Sequence, residues 1–179
     1  MKDRRTLIFL ICLGLLSCAS TQTKTEKSRE KDPQYQYNVG LFYLNSNNID
    51  QAIKYFNKAL SLDPRHSQSL NALGLAYSMR GDLPEAINLY QKCLQISPDF
   101  SEAHNNLGTI YLEMGELSKA ETEFKKVIDD PNYTHKELPY YNLARLNFTS
   151  GDSERARSYV DIAIKLNNRF ALAFNLLGM

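Results

Sequence analysis

Three glycines, Gly40, Gly74 and Gly108, recur at a spacing of 34 residues. The same spacing relates Tyr43, Tyr77 and Tyr111; Ala52, Ala86 and Ala120; and Phe56, Tyr90 and Phe124. Pro64 and Pro98 keep the register, and a slip of two residues brings in a fourth copy through Ala144, Asn147, Ala156, Val160 and Ala163. A fixed period of this length constrains the fold more than any bulk property. Each copy is one supersecondary unit that cannot bury its apolar face alone, so neighbouring copies must stack.

Within a copy the apolar residues fall on two helical faces. Val39, Gly40 and Tyr43 share the face of a first helix, and Ala52, Phe56 and Ala59 share the face of a second. Small residues at Gly40 and Ala52 let two antiparallel backbones approach, while Phe56 fills the space beside them. Asn48 with Gln51, and Asp82 with Glu85, are spaced as capping boxes at the start of second helices. Pro64 and Pro98 end those helices, because proline has no amide donor and clashes with the preceding turn.

Period, glycine, tyrosine, alanine and proline positions together resemble the tetratricopeptide repeat. The resemblance implies an all-α fold, a superhelix of antiparallel helix pairs, with repeats at 33–66, 67–100, 101–134 and 137–170. Departures are few. The fourth position, often tryptophan in the family, holds Gln36, Leu70, His104 and Tyr140, while Asn147 and Asn168 replace an expected tyrosine and proline. Residues 171–179, "ALAFNLLGM", read as the opening of a partial fifth repeat. An apolar half-repeat caps an array poorly, so further repeats beyond Met179 are expected.

The first thirty residues are of another kind. A basic head, Lys2 to Arg5, precedes an apolar run from Leu7 to Leu16. As a helix that run would reach about 15 Å, half of a hydrocarbon core of roughly 30 Å. It reads as a secretory signal over 1–17. Its end, Leu15-Leu16-Ser17-Cys18, resembles the lipobox of bacterial lipoproteins, which implies that Cys18 is acylated and becomes the first residue of the mature chain. Two or three acyl chains would hold it on a membrane. Ala19 after the cysteine fits outer-membrane sorting, facing the periplasm. Residues 18–32 form the lipidated cysteine and a tether; the polar stretch "ASTQTKTEKSREKD" has too little apolar surface to offset the entropy of ordering.

Composition bears mainly on what is excluded. With 21 Lys and Arg against 20 Asp and Glu, no charge excess points to nucleic acid. Removal of Cys12 and acylation of Cys18 would leave Cys93, so no intramolecular disulfide is expected. Cys93 occupies a small-residue packing position and reads as a buried hydrophobe. His66, His104 and His135 lack metal-ligand spacing, and His104 falls at a helix-packing position. Asp129-Asp130 before Pro131 reads as a solvated turn. No metal, cofactor, small-molecule substrate or catalysis is expected.

Function is therefore expected in a groove. In the tetratricopeptide family the first helices line the concave surface, which implies binding positions at Tyr37, Asn38, Asn71, Leu75, Asn105, Asn106, Tyr141, Asn142, Arg145 and Asn175. Asparagine offers both donor and acceptor, suited to the backbone of an extended peptide, although asparagine at the sixth position is also common as a structural residue. Acylated cysteine, short tether, early repeats and the slip at "IDDPNYTHKELPYYNLARL" also resemble the pilotins, outer-membrane lipoproteins of type IV pilus assembly. That resemblance implies a secretin subunit as the protein partner. A general periplasmic adaptor lipoprotein for peptidoglycan or secretion machinery shares the same construction. A third reading is the targeting fragment of a repeat-containing glycosyltransferase.

Overall fold

The computed structural model describes residues 29–169, so the signal segment, Cys18, most of the tether, residues 171–179 and Asn175 lie outside the described residues. Eight helices are delimited within them: α1 (Pro33–Asn45), α2 (Ile49–Leu62), α3 (Ser67–Arg80), α4 (Leu83–Ile96), α5 (Ser101–Glu113), α6 (Leu117–Asp129), α7 (Glu137–Thr149) and α8 (Ser153–Leu166). The chain divides into two compact units, one ending at His66 and one beginning at Ser67.

In the first unit α1 packs along α2. Asp32 caps α1 by accepting from the Gln34 amide, and Pro33 opens the helix where a missing N–H costs nothing. Gln36, at the position the family often fills with tryptophan, is buried and donates to the Glu30 carbonyl at 2.7 Å. Residues at the end of the polar tether are thereby drawn into the start of α1. Gly40 lies against the Phe56 ring so closely that an added Cβ would overlap a ring carbon. Tyr43 stacks on Tyr55, with centroids 5.3 Å apart.

In the second unit α3/α4, α5/α6 and α7/α8 form the antiparallel pairs, and α4 on α5 and α6 on α7 join them. Tyr90 fills the space beside Gly74 and Phe124 the space beside Gly108. In the last pair a larger Ala144 stands at the glycine position and a smaller Val160 at the aromatic one, and both are buried in one cluster with Ala163. Exchanging volume between the two helices keeps the interior filled. Asn147, where tyrosine was expected, is buried with its amide donating to the Leu143 carbonyl at 2.7 Å. The extra residues of the slip do not hang loose. Tyr133 is buried there, its phenol pushed up to about 12 by that burial, and Lys136 donates to the Ile128 carbonyl.

The turn inside each pair corrects one expectation. Asn47, Gly81, Gly115 and Gly151 all take positive φ. That left-handed residue lets the next amide, of Asn48, Asp82, Glu116 or Asp152, bond back to the carbonyl of Tyr43, Tyr77, Tyr111 or Asn147. The N–H that a capping box would satisfy is therefore already used. Half of the box survives at Asn48, which accepts from the Gln51 amide at 3.4 Å. At Asp82 no side-chain cap forms, and its carboxylate faces Arg80 at 3.5 Å. The proline stops hold: α2 ends at Leu62 and α4 at Ile96, each just before its proline. Asn167 ends α8 with the same extended backbone.

Cys93 is fully buried, its thiol donates to the Ser67 carbonyl at 3.3 Å, and burial pushes its pKa up to about 11. In a chain whose Cys12 and Cys18 are replaced by serine, native Cys93 should react with a disulfide reagent at pH 8 far more slowly than after denaturation. Equal rates would show that the site opens freely.

Candidate protein-binding groove

The first helices of the second unit, α3, α5 and α7, touch one another in series. Across those contacts runs a ladder of amides. Asn106 donates to Asn71 Oδ1 at 3.1 Å, and Asn142 donates to Asn105 Oδ1 at 3.1 Å and to Thr109 Oγ at 3.4 Å. The Arg145 guanidinium donates to Asn142 Oδ1 at 3.4 Å and lies 6.0 Å from the centroid of the Tyr141 ring. Six expected groove residues, Asn71, Asn105, Asn106, Tyr141, Asn142 and Arg145, are thus brought into one connected row. Leu75 lies one turn beyond Asn71 on α3, half-buried.

Their roles differ from one another. Asn142 is 7% exposed and its amide is bonded on both sides, so it holds the helices together. Asn106 likewise spends its amide on the neighbouring repeat. Asn71, Asn105, Tyr141 and Arg145 remain half-buried and reachable. Large apolar side chains at the far ends of first helices are more open, with Phe148 60% and Met79 51% exposed.

Tyr37 and Asn38 belong to the first unit and form a cluster of their own. Tyr37 stands edge-on to the His66 ring at 5.6 Å and leans on Phe56. Asn38 accepts from Gln34 at 3.1 Å, and Gln34 in turn meets His66 at 3.3 Å. Asn175 and Cys18 lie outside the described residues.

A second feature sits away from the ladder, where the connections after α4 and α6 border a cleft of about 730 Å³. His104, at the family's tryptophan position, is part of its lining. One ring nitrogen meets the Glu123 carboxylate and the other the Pro98 carbonyl at 2.7 Å. Burial alone would raise the Glu123 pKa, but the His104 and Lys126 hydrogen bonds and their charges outweigh it and hold the carboxyl below its usual range. Asp130 is lowered too, first by the Ser101 hydroxyl at 2.6 Å and then by the Asn132 amide. The turn is exposed at Asp129, as expected, and Asp130 in it is also hydrogen-bonded. Among the described residues no group of His, Cys, Asp and Glu could hold a metal, and no helix is long and apolar enough to cross a membrane.

A depressed carboxyl pKa means that the folded chain binds fewer protons than the unfolded one at acidic pH. The stabilisation is complete above the ordinary carboxylate range and is lost as pH falls through the folded values. The thermal midpoint should accordingly be flat above about pH 5 and drop below about pH 4. Asp130→Asn should make that drop shallower. An unchanged profile in the variant would show that Asp130 is not responsible.

Comparison with known proteins agrees with this geometry. Three models of the tetratricopeptide repeat match residues 33–99, 77–133 and 139–170. The chain is 34% identical over 77 residues to the type IV pilus assembly protein PilF of Pseudomonas aeruginosa. That match takes in 41% of this chain and 31% of PilF, so it spans less than a third of the relative's length. The solved structure of Pseudomonas aeruginosa PilF superposes with a TM-score of 0.76 at 22% identity, covering 84% of this chain and 69% of that one. PilW, a widely conserved type IV pilus biogenesis factor, gives 0.76 at 20% identity, covering 79% and 65%. With repeats, turn geometry and packed Gly–aromatic pairs in agreement, the chain belongs to the tetratricopeptide-repeat proteins and resembles the type IV pilus assembly factors among them.

Proposed function

We propose that this chain is a membrane-anchored, protein-binding scaffold of the bacterial envelope that aids type IV pilus assembly. The observation that carries the reading is the 34% identity over 77 residues to a pilus assembly protein. Half-buried amides, a guanidinium and open apolar side chains along successive first helices are suited to holding a segment of another protein. The partner we assign is a secretin subunit, whose insertion or multimerisation the scaffold promotes. Anchoring is assigned to Cys18 in the stretch Leu15-Leu16-Ser17-Cys18, with the domain facing the periplasm. The role is that of a binder with no reaction of its own.

The test is a crosslinked pull-down from detergent-solubilised envelopes with the lipidated protein as bait and mass spectrometry as readout. A secretin should be recovered, and it should be lost when Asn71 or Tyr37 is changed to alanine. Recovery of peptidoglycan enzymes without a secretin would move the assignment to a general adaptor of the envelope. Anchoring is tested apart from the partner. Wild-type protein should incorporate radiolabelled palmitate and partition into detergent, and Cys18→Ser should do neither.

A further inference from the structure

One arginine in the ladder stands without a counter-charge. Among the described residues Arg80 faces Asp82 and Arg155 faces Asp152, yet no carboxylate pairs with Arg145. Arg145 is nevertheless a half-buried residue, its guanidinium beside the Tyr141 ring and bonded to Asn142. Glu102, one turn before Asn105 on α5, acts on Cys93 and Tyr133.

The neighbouring amides have a fixed polarity. A guanidinium can only donate, so Asn142 must turn its Oδ1 to Arg145 and its Nδ2 the other way. Thr109 gives an independent check. Its hydroxyl proton goes to the Asn105 carbonyl at 2.9 Å, so its oxygen can only accept from Asn142. The same Asn142 Nδ2 meets Asn105 Oδ1, which spends that acceptor. Asn105 Nδ2 is then left with no bond among the described residues. Donors without acceptors therefore flank one amide: the remaining guanidinium N–H groups on one side and Asn105 Nδ2 on the other.

We infer that Arg145 and Asn105 form a carboxylate subsite, filled by an aspartate or glutamate side chain of an extended segment lying along the groove. The inference rests on the groove reading above and specifies the chemistry of its occupant. Charge complementarity selects a carboxylate over an amide, since an uncompensated, half-buried cation gains most from an anion. A side chain is chosen over a chain terminus because the row continues on both sides. The Asn71–Asn106 pair lies toward α3, and exposed Phe148 lies beyond Arg145 on α7. A segment that touches both passes through the subsite.

The full chain in detergent is panned against phage-displayed random dodecapeptides, fused so that no peptide has a free terminal carboxylate. Selected sequences should be enriched in Asp and Glu. One selected peptide, made with blocked ends, should bind about tenfold more tightly than its Gln or Asn counterpart by fluorescence anisotropy, as a charge-assisted contact implies. Arg145→Gln, checked for intact helicity, should erase that difference. Arg145→Lys should restore part of it, and Asn105→Ala should reduce it. Equal affinity for the acidic peptide and its amide counterpart would overturn the subsite. If Asn71→Ala still weakens both peptides, the groove reading survives that result. Tighter binding of a peptide whose only carboxylate is its C-terminus would overturn the side-chain assignment. Capture of no peptide at all would overturn both subsite and groove.

Discussion

Replacing Phe124 by alanine is expected to destabilise the chain by about 3–5 kcal/mol, read as a shift in the urea midpoint at constant slope. The ring is fully buried at the centre of a cluster with Leu112, Ala120, Leu143 and Leu146. That cluster joins α6 not only to α5, its own partner, but also to α7 of the next repeat. Deleting the ring opens a cavity between two repeats, and helices held on both sides collapse into it poorly. Gly108 is the other half of the same fit. A Cβ there would stand 2.7 Å from a Phe124 ring carbon, so Gly108→Ala should cost about 1–3 kcal/mol by overpacking. Combined with Phe124→Leu, the glycine change should cost less than it does alone, since the smaller side chain vacates the space. Strict additivity of the two changes would show that they do not share one packing site.

His104→Ala should cost about 3 kcal/mol, although histidine at this position is unremarkable in the sequence. The imidazole bonds to Glu123 through one nitrogen and to the Pro98 carbonyl through the other. Its removal leaves a carboxylate side chain only 13% exposed with Lys126 as its remaining ion-pair partner, and a carbonyl without its donor. A double-mutant cycle with Glu123→Gln should return a coupling well above that of an exposed pair, which is about 0.2–1 kcal/mol. A value within that exposed range would mean that water replaces the ring at little cost. The change should leave peptide capture unaltered, because His104 borders the cleft below the α4 and α6 connections and not the amide ladder.

Much of the architecture was legible before any coordinates. The Gly–aromatic pairs could be read because helical periodicity places Gly74 opposite Tyr90 as surely as Gly40 opposite Phe56, and a ring needs the room that a missing Cβ leaves. Pro64 and Pro98 marked helix ends through covalent chemistry alone. The turn residues were also written in the chain, at Asn47, Gly81, Gly115 and Gly151. The capping boxes that the spacing predicts do not close fully, because the same N–H groups complete the turn.

The candidate site was legible as a set of positions and not as a set of bonds. Asn105, Asn106 and Asn142 look alike in sequence. Which one holds helices together and which one keeps a free donor depends on partners 33 to 37 residues away. His104 was placed correctly at a packing position, but its carboxylate partner on α6 follows from how the two helices of its repeat pair, and its carbonyl partner, Pro98, from the connection that enters α5. Asp130 reads as a surface turn, and its bond to Ser101, 29 residues away, is visible only once the chain is folded.

The period, the two-helix unit, the packed glycines and the helix stops follow from local chemistry: φ preferences, missing amide donors and apolar spacing act within a few residues and can be read from them. Hydrogen-bond direction, the burial of His104 with Glu123, and the unmatched charge of Arg145 belong to the assembled repeats. The first two depend on a group from another helix arriving within about 3 Å, and only helix packing fixes that distance; the third depends on no carboxylate among the described residues arriving there.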